Sequence, residues 1–117
     1  PNAEHLKAHH ESFFLNIREK NPDLPVIMAT KTDIPRSPAA EKSNAAHREV
    51  VYETYENAVK RGDRNVIFID GATVFSKALT LSAPADSCTV DGCHPNDLGF
   101  ACMAKVFGDA IEKMLGL

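Results

Sequence analysis

Two short apolar runs, Pro25-Val26-Ile27-Met28-Ala29-Thr30 and Val66-Ile67-Phe68-Ile69-Asp70, constrain this chain more than any other feature. Each is continuous rather than alternating, the pattern of a strand buried on both faces of a sheet. Between them, from about Ala39 to Arg61, good helix formers carry Val50, Val51, Tyr55 and Val59 at helical spacing and stop at Gly62-Asp63. Strand, crossover helix and strand make a right-handed parallel unit, hence an α/β layered architecture. Two strands alone leave an unpaired apolar edge, so the sheet needs neighbours, which are expected N-terminal to Pro1.

The flanks fit this plan. Leu6, Phe13, Phe14 and Ile17 recur with helical spacing from Ala3 to about Lys20, where Asn21-Pro22 stops the helix. Lys31 to Ser43, with Pro35 and Pro38, has loop chemistry. The region from Ala72 to Val90 is mixed, with a helical turn around Thr73 to Lys77 and a loop through Ala83-Pro84-Ala85-Asp86. Asn96 can cap a last helix whose Leu98, Met103, Val106, Phe107, Ile111 and Leu115 form one stripe.

The 117 residues allow one domain and are too few for two. A net charge of -3 carries no basic footprint for nucleic acid. No apolar run approaches the roughly 20 residues that span a bilayer, so neither nucleic acid nor membrane is an expected partner. Cys88, Cys93 and Cys102 match no zinc spacing, which leaves reduced thiols or a Cys88 to Cys93 bridge. His5 and His9 stand four apart beside His10, a chelating spacing, but nothing completes a site and a solvated helix face accounts for them. No metal or cofactor is therefore expected. The opening Pro1-Asn2-Ala3 is not an initiator methionine, as expected of a fragment or a processed chain.

The chemistry concentrates in Val90-Asp91-Gly92-Cys93-His94-Pro95-Asn96-Asp97-Leu98-Gly99. It sets a carboxylate and an imidazole three residues apart on a turn just before a helix. An imidazole held by a carboxylate is the general base that a serine hydrolase needs. Gly92 permits the tight turn, and Pro95 with the Asn96 cap stiffens the chain after the histidine. An Asx-type turn with an incidental histidine is the plain structural alternative.

DGCHPNDLGF resembles the last sequence block of the SGNH/GDSL hydrolase superfamily, Asp-x-x-His followed by Pro and a small-residue helix start. NPDLPVIMATKTDIPR and YENAVKRGDRNVIFIDG are similar to the second half of a bacterial subfamily of these esterases, so the resemblance covers nearly the whole chain. It implies a flavodoxin-like three-layer sandwich with a five-stranded parallel sheet, of which this chain supplies the last two strands and flanking helices. Residues 1–117 are then the C-terminal part of one hydrolase domain, with Asp91 and His94 as its catalytic pair. The family's nucleophilic serine lies in an N-terminal GDS-like block. Ser12, Ser37, Ser43, Ser76, Ser82 and Ser87 stand in no such context, so the nucleophile is expected outside this chain.

Asn2 corresponds to the family's oxyanion-hole asparagine, or is an ordinary helix cap. Thr30, Lys31 and Asp33, at the carboxyl end of the first strand, either line the substrate cleft or form a polar loop. Asp70 is read as a turn-forming Asp-Gly, and Cys93 as a neighbour that points away from His94. The implied activity is hydrolysis of carboxylic esters, acyl or acetyl groups on sugars or lipids, with a secreted or periplasmic location. The isolated chain is expected to be inactive and to need its N-terminal segment or a second copy. The competing reading is a catalytically silent α/β fragment that self-associates or binds through its sheet edge.

Overall fold

The computed structural model describes residues 2–79 and 84–117. Helix α1 (Ala3–Lys20) starts where Asn2 Oδ1 accepts the His5 N–H, and it stops at Asn21 before Pro22. Strand β1 (Val26–Ala29) follows. Ser37 then caps α2 (Pro38–Lys60), with a proline at the first position, where its missing N–H costs nothing. Strand β2 (Val66–Ile69) lies parallel to β1, with Val26 opposite Val66 and Ala29 opposite Ile69. The short helix α3 (Val74–Ala78) and the long α4 (Asp97–Leu115) complete the order.

The pleat sorts the apolar runs. Val26, Met28, Val66 and Phe68 pack with Phe14, Val51 and Ala58 of α1 and α2. Ile27, Ile67 and Ile69 face the other way, into a core with Val74, Phe75, Cys88 and Cys102 beneath α3 and α4. The described chain is thus a mixed α/β unit, a two-stranded parallel sheet with helices against both faces.

Several expectations change. The helix after β1 starts at Pro38, close to the expected Ala39, so the last part of the Lys31 to Ser43 stretch is helix rather than loop, capped by Ser37. Two 3-10 turns, Gly71–Thr73 and Ala85–Cys88, occupy the mixed region. The second replaces part of the expected loop, whose Ala83 lies outside the described residues, as do Pro1 and Ser82. On α4, the sequence stripe is only half used: Met103, Val106 and Phe107 pack inward with Cys102, whereas Leu98, Ile111 and Leu115 are exposed. Val59 and Phe13 are likewise exposed, while Ala58, Thr54 and Phe14 take the buried positions.

The unit is open for its size. Its Cα radius of gyration is 15.2 Å, and its extents of 42 × 37 × 19 Å make a flat slab. A closed domain of this length has a radius near 13 Å. The accessible surface is 7582 Å², where roughly 6,300 Å² suits a closed monomer of this mass. No described helix is long and apolar enough to cross a membrane.

Candidate active site

The segment ahead of α4 folds as a pinched turn. The Asn96 N–H donates to the Cys88 carbonyl at 3.0 Å and the Val90 N–H to the His94 carbonyl at 2.9 Å, on either side of a Thr89 to Pro95 bridge. At its tip Gly92 takes φ +90°, a left-handed conformation that favours glycine. Buried Thr89 accepts the Gly92 N–H at its hydroxyl, 3.0 Å away, and the Gly92 carbonyl accepts the Ile34 N–H at 2.7 Å. Asn96 closes the far side, its Oδ1 accepting the Gly99 N–H at the head of α4 and its Nδ2 donating to the Ser87 carbonyl. The turn is therefore fixed by its own backbone, by α4 and by the loop leaving β1.

Within this frame Asp91 and His94 meet. Asp91 Oδ1 accepts the backbone N–H groups of both Cys93 and His94 at 2.8 Å, and Oδ2 lies 2.7 Å from His94 Nδ1. An ionised carboxylate at that distance requires the proton on Nδ1, which leaves Nε2 as the free acceptor. The imidazole side chain is 77% exposed, so Nε2 is open to a reactant. The His94 backbone N–H, then the His94 ring and the Cys93 N–H, hold the Asp91 carboxyl well below the usual carboxylate range. A lowered folded pKa contributes stability above the unfolded value, and this is lost as pH falls through the folded value. Asp91→Asn is thus expected to lower the melting temperature at neutral pH, with the gap closing below about pH 4. Thermal scans from neutral to acid check it, and a gap that stays constant would contradict it.

Gly92 is the turn's steric weak point. A Cβ there would lie 2.5 Å from Arg36 Nε and 2.7 Å from the Ile34 carbonyl oxygen, besides the positive φ. Gly92→Ala should destabilise the fold by about 2 kcal/mol. Equilibrium denaturation measures it, and an unchanged midpoint would mean that the turn is loose.

The structure places the remaining sequence-predicted residues unevenly. Thr30 spends its hydroxyl on the Gly71 N–H at 2.8 Å, which ties the end of β1 to the turn after β2. Lys31 Nζ is 2.7 Å from Asp33 Oδ2, and Asn44 Nδ2 donates to Asp33 Oδ1 at 2.8 Å. The hydrogen-bonded Asp33 carboxylate raises the Lys31 pKa, with a smaller contribution from the Cys93 thiol beside it. Thr30, Lys31 and Asp33 line a cleft of about 450 Å³ with Leu6, His10 and Ala29, but the residues lining it do not include Asp91 or His94. Leu6 and His10 bring the first turns of α1 to that cleft. Asn2 caps α1 through Oδ1, so its amide nitrogen is not engaged by the cap.

Among the described residues no serine hydroxyl bonds His94. Ser12 donates to the His9 carbonyl of its own helix, Ser76 to the Thr73 carbonyl just ahead of α3, and Ser37 serves as a cap. The His5 and His9 rings lie 4.6 Å apart, tilted by 55°, and no three metal-binding side chains gather among the described residues. The Cys88 to Cys93 bridge is not formed: Cys88 is buried with its Sγ 3.8 Å from Cys102 Sγ, while Cys93 is exposed. Sequence reading passed over Thr89, Ile34 and Arg36 as supports of the turn. Thr89, three residues before a glycine, was a local signal; the other two arrive only through tertiary packing.

Comparison with known proteins gives this geometry a context. A structure from Bacteroides ovatus ATCC 8483, described as a GDSL-like lipase, superposes with a TM-score of 0.79 at 28% identity, over 99% of this chain and 33% of that one. The salicylyl-acyltransferase of a tetracycline biosynthetic pathway matches with a TM-score of 0.65 at 26% identity, over 88% of this chain and 30% of that one. The chain thus spans about a third of the length of these structures. No curated protein matches it. The model of the GDSL-like lipase/acylhydrolase family matches residues 1–112, and the chain belongs to that family.

Proposed function

We propose that this chain is the C-terminal part of one carboxylic ester hydrolase domain, in which His94 is the general base and Asp91 its orienting carboxylate. The observation that carries this reading is the 2.7 Å contact of Asp91 Oδ2 with His94 Nδ1, with the opposite ring nitrogen open to solvent. In an acyl transfer, Nε2 takes the proton of a serine hydroxyl as it attacks the ester carbonyl, then returns it to the leaving alcohol. Asp91 keeps the ring in the required tautomer and stabilises the imidazolium. With an alcohol in place of water as the second acceptor, the same groups run acyl transfer, as the acyltransferase neighbour's name suggests.

The nucleophile and most of the oxyanion hole are assigned to sequence outside this chain, in a flavodoxin-like three-layer sandwich that the present two strands would complete. Asn2 is assigned to the oxyanion hole through its amide nitrogen. Thr30 and Lys31 are assigned to the wall of the cleft, and the substrate class is acyl or acetyl esters of sugars or lipids. The competing reading, a silent self-associating fragment, draws on exposed apolar side chains such as Phe13 and Phe100.

The test is covalent labelling of the intact protein by a fluorophosphonate, which reacts with a serine only when a neighbouring base activates it. Labelling that needs His94 supports the esterase. Labelling that survives in the His94→Ala variant would take the general-base role away from His94, and no labelling at all would favour the silent fragment.

A further inference from the structure

The chain carries a second reactive pair, outside the residues that serve the proposed acyl chemistry. Cys88 ends the 3-10 turn Ala85–Cys88, immediately before the pinched turn, and Cys102 sits in the second turn of α4. Their sulfurs are 3.8 Å apart, both side chains are buried, and both belong to the core beneath the sheet. The backbone reinforces this closeness. The Cys88 carbonyl accepts the Asn96 N–H, and it lies so close to Gly99 that a side chain there would strike it. The two segments are thus clamped together before any bond forms between the thiols.

We infer that Cys88 and Cys102 are a closable dithiol, and that a disulfide between them bolts the Asp91–His94 turn to α4. The reaction is ordinary thiol–disulfide exchange with a small disulfide such as oxidised glutathione. One cysteine thiolate attacks the glutathione disulfide and releases one glutathione thiolate, which takes up a proton. The second cysteine thiolate attacks the protein sulfur of that mixed disulfide, closes the Cys88–Cys102 bond and releases the second glutathione. Two protein thiols are oxidised and one glutathione disulfide is reduced to two thiols.

Burial governs when this happens. Desolvation, and then the neighbouring Cys102, push the Cys88 thiol up to about 11, so the folded core holds little of the attacking thiolate. Closure therefore proceeds during folding, or while the turn is transiently open, and is slow in the closed fold. Exposed Cys93 has the opposite fate. With no thiol in reach at a comparable distance, it stops at the mixed disulfide. The loop closed by the bond is short, so in the intact protein the cross-link should raise the melting temperature by roughly 5 °C.

Peptide mapping of the intact protein decides it. Cleavage before Asp86, Asp91, Asp97 and Asp109 places the three cysteines on separate peptides, 86–90, 91–96 and 97–108. Refolding in oxidised and reduced glutathione should link 86–90 to 97–108 and lose 2 Da, in about the mass of two hydrogens, while 91–96 carries glutathione or stays alkylatable. Cys102→Ser should abolish the link and the thermal shift, and Cys93→Ser should leave both in place. Free Cys88 and Cys102 after oxidative refolding, or a link from Cys88 to Cys93, would overturn the inference. Neither result depends on whether His94 is the general base, which the labelling experiment tests separately.

Discussion

Replacing His94 with alanine in the intact protein is expected to lower kcat on a short-chain aryl ester by on the order of 10⁴-fold or more, with little change in KM. The reason is local. His94 Nε2 is the only ring nitrogen left available for the proton of an attacking hydroxyl, because Nδ1 is committed to Asp91 Oδ2 at 2.7 Å. Alanine removes the acceptor but leaves binding and oxyanion stabilisation in place, so the loss falls on the chemical step. A 10⁴-fold loss corresponds to about 5.5 kcal/mol of transition-state stabilisation. Asp91→Asn should cost a similar factor. Its amide cannot hold the Nδ1–H tautomer as a carboxylate does, although its side-chain oxygen can still accept the Cys93 and His94 N–H groups. Steady-state kinetics on both variants, with folding checked by circular dichroism, gives the answer. Activity within about tenfold of the parent in both would remove Asp91 and His94 from the mechanism.

The second large effect concerns residues 1–117 produced alone. They are expected to be inactive on the same ester and not to persist as a monodisperse monomer of 12.8 kDa. Among the described residues the two strands pair only with each other, so each keeps an unpaired edge of backbone donors and acceptors. Apolar side chains also stay in solvent, among them Phe13 at 66% and Phe100 at 58% exposure. Edge-to-edge pairing recovers about 1 kcal/mol per backbone hydrogen bond, and covering apolar surface adds roughly 25 cal/mol per Å². A few paired residues with a few hundred Å² of cover exceed the cost of association at micromolar concentration. Light scattering across a concentration series checks the state. A well-folded monomer at high concentration would mean that these helices and strands are self-sufficient. On the proposed reading, adding in trans the segment assigned to carry the nucleophile should restore a defined complex and, with it, turnover that depends on His94.

The sequence by itself determined the element types and one local cluster. Val26 to Ala29 and Val66 to Ile69 were legible as strands because a continuous apolar run is what a two-sided burial demands. Asp91 and His94 were legible as a pair because they stand three residues apart across a glycine turn, within local reach of each other. The Asn2 and Asn96 caps were equally local. Tertiary structure decided what depends on distant partners. Helical spacing assigns an apolar face but not its centre, so Phe13, Leu98, Ile111 and Leu115 fell outside the core while Ala58 and Cys102 fell within it. Cysteine spacing left reduced thiols or a Cys88 to Cys93 bridge open, and the clamp of the turn onto α4 set Cys88 against Cys102 instead. The supports of the catalytic candidate followed the same rule. Thr89 is local to Gly92, but Ile34 and Arg36 reach that turn only because the parallel register brings the loop after β1 alongside it. Periodicity and turn chemistry reach a few residues along the chain, and which surfaces meet is fixed only when the sheet and its helices pack.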